Sequence, residues 1–329
     1  MWVLGLAAAT VGACGGSAAQ PVRAPLENLA PPIETVARPR LTLDAELAMM
    51  PVDTEMVMEL DVARLRRSVL WERMEPWLRG LAGPSMVEVV QMCGFDPLLT
   101  VDSILIGARG LGGSVEATML VRGFERTAVI ACLERATRES REQGGNRSAH
   151  MDGDLVELLE GDAVSMAIRF VDDRTVLLLS RNSNFADRAA LDEAARRQLG
   201  QGLTSSPAFL AVIGRIDTGA TCWFAANGTS APFKMLPIAV RAVRSELHTS
   251  ADPARALLGS LVMEHDDATS ASSMAGMVRM AFDSLRGGPF TDLAQAMEIS
   301  EEGTDVIVDL RFDLDQLQRI ASLLGMAWP

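Results

Sequence analysis

The sequence predicts an α+β fold of antiparallel sheets with helices packed on one face, and three patterns predict it. Apolar residues alternate with charged ones in several segments, which is the period of a half-buried strand. Between those segments apolar residues recur at three- and four-residue spacing, the stripe of an amphipathic helix. Residues about 50 to 185 and about 205 to 329 each read as strands, an amphipathic helix and a closing alternating strand, so the pattern allows two related halves. A chain of 329 residues with 48% hydrophobic content is long enough for more than one domain and has ample material for packed cores.

Taken along the chain, "EMVMELDV" sets Met56, Met58, Leu60 and Val62 on one face and Glu59 and Asp61 on the other, a strand with one solvated side. In "ERTAVIACLERATRES" Val129, Ile130, Leu133 and Ala136 form a helical stripe. The stretch "DGDLVELLEGD" reads as an acidic hairpin, and "VSMAIRFVDDRTVLLLS" as a second hairpin turning at "DDR". "NFADRAALDEAARRQL" is alanine-rich with an outer charged side, a surface helix suited to linking two halves and ended by Gly200 and Gly202. Met274, Met277, Val278, Ala281 and Leu285 then form another helical stripe, closed by Gly287 and Gly288. "DVIVDLRF" alternates Val306, Val308, Leu310 and Phe312, and Leu314, Leu317, Ile320, Ala321 and Leu324 stripe a C-terminal helix. "GDAVSMAIRFV" and "GTDVIVDLRFD" look alike in pattern, which pairs residues 161–171 with 303–313 as the internal echo.

At the start, "WVLGLAAATV" is apolar for about ten residues, half of what a bilayer core requires, and has the length of a secretory leader's apolar region. It runs into "VGAC", which resembles the lipobox of bacterial lipoproteins: an aliphatic residue three before the cysteine, then two small residues that let the backbone lie extended in a peptidase cleft. The resemblance implies that the Cys14 thiol takes up diacylglycerol and becomes the mature N-terminus. Several acyl chains hold a protein to a membrane where one chain gives only reversible attachment. No lysine or arginine precedes Cys14, a departure from the positive start of such leaders. Gly15 in place of aspartate implies the outer membrane. Residues 15–50, with five prolines between Gly15 and Arg40 and no apolar period, read as a tether. The chain then divides into a leader at 1–14, that tether, a first α+β half at 51–203 and a second at 204–329. The folded part also resembles, in pattern, uncharacterised secreted bacterial proteins built from duplicated strand and helix units, some with a turn like "GFDP" at 94–97. That family lends no activity.

A net charge of −13 and a pI near 4.8 oppose a nucleic-acid partner, which needs clustered cations. The absence of tyrosine and an aromatic content of 5% disfavour ring stacking on sugars or bases. The glycines of "GARGLGGSVEATML" fail as a phosphate loop, because Val115 stands at the third glycine position and a strand rather than a helix follows. His150, His248 and His265 are far apart in sequence, and none has a second histidine or cysteine at ligand spacing, so no metal and no cofactor is expected. The strongest constellation is "EHDD": Glu264 or Asp267 beside His265 could orient a general base, while the same residues between a strand and a helix start also suit a turn and cap. Cys93, Cys132 and Cys222 allow one disulfide or none, and sequence names no pair. The expectation is an envelope-anchored lipoprotein of the outer membrane facing the periplasm, held by its N-terminal lipid. It acts as a non-catalytic module that binds another envelope protein or a small apolar ligand. The alternative is a hydrolase or other enzyme with its site near His265.

Overall fold

The computed structural model describes residues 41–323 apart from 83, 182, 183, 186, 187, 229, 235, 287 and 289. The leader, Cys14 and residues 15–40 of the tether lie outside the described residues. The described chain is α+β, built on one antiparallel sheet. Its strands are β1 (Met56–Asp61), β2 (Ser103–Arg109), β3 (Glu116–Arg122), β4 (Arg147–Asp152), β5 (Leu155–Glu160), β6 (Ala163–Phe170), β7 (Thr175–Arg181), β8 (Asn184–Phe185), β9 (Cys222–Asn227), β10 (Ala242–Thr249), β11 (Leu257–Glu264), β12 (Met297–Glu302) and β13 (Asp305–Phe312). Across the sheet they run β12-β13-β11-β10-β9-β1-β2-β3-β7-β6-β5-β4, with β8 beside β7. The principal helices are α1 (Leu43–Met49), α2 (Val69–Ala82), α3 (Pro84–Cys93), α4 (Arg126–Glu142), α5 (Arg188–Arg196), α6 (Pro207–Ile213), α7 (Ala268–Leu285) and α8 (Leu314–Leu323). Among the described residues no helix is long and apolar enough to cross a membrane.

The order β1-β2-β3-β7-β6 in the first half is repeated as β9-β10-β11-β13-β12 in the second, with α4 and α7 each following the third strand. The halves join where β1 pairs antiparallel with β9, and a local two-fold through the Met58–Phe224 pair relates them. Register follows topology. Arg122, ending β3, pairs with Ser103 and Thr175, while Glu264, ending β11, pairs with Ala242 and Asp305. The next residues repeat the pattern: Gly123 N–H donates to Arg174 O and His265 N–H to Thr304 O, each at 2.9 Å. By this register β13 corresponds to β7, so the sequence echo, which set 303–313 against 161–171 and thus against β6, is displaced by one strand. Period-two alternation looks the same in any strand, and only pairing partners fix equivalence. The β4–β5 hairpin belongs to the first half alone.

One face of the sheet is covered by helices along its length. Met58, Ile104 and Ile106 pack beneath α2 and α3, Val156, Ile168 and Phe170 beneath α4, and Val243, Met263 and Val306 beneath α7. The opposite face carries helices too: Val57, Leu105, Leu120, Leu177 and Trp223 pack against α1, α5 and α6. β1 is therefore sandwiched, and the side expected to be solvated instead holds a buried Val57 and a Glu59 engaged by two neighbours. The stretch expected to be tether, 15–50, ends in a helix. Past Pro39 the chain regains an apolar pattern; Thr42 Oγ1 accepts from Ala45 N–H at 3.3 Å to start α1, which buries Glu46, Leu47 and Met49. α5 buries Leu191 and Ala194 in the same layer, so it packs on the sheet rather than bridging the halves.

Candidate functional site

The equivalent ends of β3 and β11 each hold a buried charge among partners of opposite sign. At β11, Glu264 is fully buried and three guanidiniums converge on it: Arg215 Nη2 at 2.5 Å, Arg241 Nη2 at 3.2 Å and Arg244 Nε at 3.6 Å. Arg215 follows α6, which precedes β9, so this contact locks a helix to the sheet. Arg244 Nη2 also reaches Asp305 at 3.2 Å. At β3 the signs are exchanged. Arg122 donates to Glu46 of α1 at 2.7 Å, to Glu59 at 2.8 Å and to Ser103 Oγ at 2.5 Å, and Glu59 accepts from Trp223 Nε1 at 2.9 Å. α1 precedes β1 as α6 precedes β9, so both clusters clamp the helix that enters a half.

One arginine stands between two carboxylates at β3. Burial, the largest influence, pushes Glu46 up to about 7 even against the attraction of Arg122, and the charges of Glu59 and Asp172 push the same way. Burial works against the Arg122 charge, yet the two carboxylates hold it above the ordinary guanidinium value.

His265 is fully buried; its Nδ1 donates to Ala239 O at 2.8 Å, and Nε2 is enclosed with no partner among the described residues. A base so enclosed meets no solvent-borne substrate. The equivalent of His265 is Gly123, and that of Ala239 O is Thr100 O. A Cβ at Gly123 would lie 2.1 Å from Thr100 O, and its φ is +118°. The first half thus closes this corner by bringing backbone against glycine, and the second by an imidazole bonded to the matching carbonyl. Gly123→Ala is expected to cost more than about 2 kcal/mol, read as a lowered urea midpoint at unchanged slope. Asp267 is the N-cap of α7, its carboxylate accepting from Ser270 N–H at 2.8 Å, as the turn-and-cap reading has it.

His150 and His248 lie on β4 and β10, apart from His265, and no group of three or more metal-ligating side chains occurs among the described residues. The acidic 152–162 stretch is hairpin, with Asp152 paired to Arg188 and Asp154 to Arg126. Cys93 and Cys132 form a disulfide between α3 and α4, and Cys222 is free, its thiol pushed up to about 11 by burial first and by the Glu59 charge second. A shallow depression of about 370 Å³ is lined by Glu193, Arg196, Arg197, Gln201 and Gly202.

No family model matches the chain, and no curated protein does. Among solved structures, crystal form III of TP0453 superposes with a TM-score of 0.50 at 10% identity over 85% of this chain and 99% of that one. In fold the chain is similar to TP0453. Crystal form I gives a TM-score of 0.48 at 9% identity over 84% and 96% of the two chains. At such identity the likeness to TP0453 concerns architecture alone, and it extends across both halves.

Proposed function

We propose that the chain is an envelope lipoprotein, anchored through Cys14 in the outer membrane and facing the periplasm, whose folded part is a non-catalytic binding module. The observation that carries this reading is the Cys93–Cys132 disulfide, a bond that persists in oxidising compartments. It agrees independently with the leader-like and lipobox-like sequence around Cys14. The groups that chemistry would need are occupied in holding the fold: His265 fastens a loop, Glu264 fastens α6, and the Cys222 thiol is held protonated. These placements favour binding over the hydrolase alternative.

Feeding cells a clickable fatty acid tests the anchor. Wild type is expected to carry the label and to fractionate with membranes, and Cys14→Ser to lose both. An unlabelled mature protein, or one that keeps residues 1–13, would overturn the reading.

A further inference from the structure

The exchanged signs at the ends of β3 and β11 leave different residual charges, and the difference points to a ligand. At β3 the surplus is negative, and a proton on Glu46 can balance it. At β11 three guanidiniums meet two carboxylates, Glu264 and Asp305, the only ones within 4 Å of them among the described residues. Arginine does not shed its proton at physiological pH, so this surplus cannot be balanced in the same way. The site is also open. Arg215 and Arg241 are 42% and 53% exposed, while the carboxylate that aligns them is fully buried. Arg241 spends only one nitrogen on Glu264, at 3.2 Å, and the buried Nε of Arg244 finds no hydrogen-bond partner among the described residues.

We propose that Arg215, Arg241 and Arg244, held by Glu264, form a binding site for an oxyanion of the phosphate or carboxylate class. Planar guanidiniums bind such oxygens through paired charge-assisted hydrogen bonds. The proposal rests on the binding reading above and names a ligand class for it.

Isothermal titration of the purified chain with inorganic phosphate at fixed ionic strength tests the site. Saturable binding is expected, weakened about tenfold in Arg241→Gln, the loss of one charge-assisted hydrogen bond. Arg241→Gln is the chosen variant because Arg215 also secures α6, and unchanged thermal unfolding in its absence of ligand shows that the fold is kept. Titration with succinate separates carboxylate from phosphate recognition. Binding to phosphatidic acid vesicles that free phosphate displaces would assign the same site to a lipid headgroup. No saturation by either anion, or equal affinity in wild type and Arg241→Gln, would overturn the site. Such a result leaves the anchor standing, since Cys14 labelling is read separately.

Discussion

Arg122→Met is expected to destabilise the protein by about 3–5 kcal/mol at pH 8, because it strands Glu46 and Glu59 in a buried site without their shared cation. At pH 5 the loss should be distinctly smaller, since the buried Glu46 carboxyl takes a proton instead of remaining an unpaired charge. The wild type carries the matching signature. Glu46 is raised from an ordinary 4.5 to about 7 in the fold, so between those values the folded state binds a proton that the unfolded state has released. Stability contributed by this group is therefore fully present below about pH 4.5 and falls as pH rises towards 7, by up to about 3 kcal/mol at 1.36 kcal/mol per pH unit. Above pH 7 both states are ionised and the dependence flattens. Glu46→Gln should remove this slope, with urea midpoints at half-unit pH steps as the measurement. A slope that persists in Glu46→Gln would assign the linkage to another group. The outcome bears on architecture, because Glu46 ties α1, together with its buried Leu47 and Met49, to the sheet.

Local pattern made much of this fold legible, and non-local pairing hid the rest. The hairpin of β6 and β7 and the helices α4, α7 and α8 were readable because period and breaker residues lie within one short window. β1 was misjudged on one side: "EMVMELDV" alternates as a half-solvated strand does, and no residue in it tells that α1, more than ten residues before Glu59, and α6, some 150 after it, pack on that face of the sheet with Val57 and Trp223. The repeated strand order was visible as a rhythm but not in register, because register is a property of partners. At the site, "EHDD" is a local concentration of charge, yet its arginines come from elsewhere in the chain, Arg215 after α6 and Arg241 and Arg244 at the start of β10. Arg122 had one available signal, a lone charge closing the apolar run "ATMLVR", which would place a cation at the end of a buried strand that needs a partner.

Removing the disulfide should have an effect of comparable size, and the reason lies in the chain that it spans. Cys93 and Cys132 are 39 residues apart, and the enclosed segment contains β2 and β3, two central strands of the first half. In the chain-entropy account, a crosslink closing a loop of that length reduces the freedom of the unfolded state by about 4 kcal/mol. Cys93→Ala with Cys132→Ala keeps two small side chains in the contact among Val89, Met92 and Phe95, so most of the loss should come from the unfolded chain rather than from a cavity. Urea unfolding of the double variant should show a midpoint lowered by that amount, and reductant should shift the wild type to the same curve. Cys222→Ala should unfold near the wild-type midpoint under oxidising conditions and should still respond to reductant, because its thiol takes no part in the bridge. If reductant leaves the wild-type curve in place, the bridge is absent in solution, and the support it gives to an oxidising address goes with it.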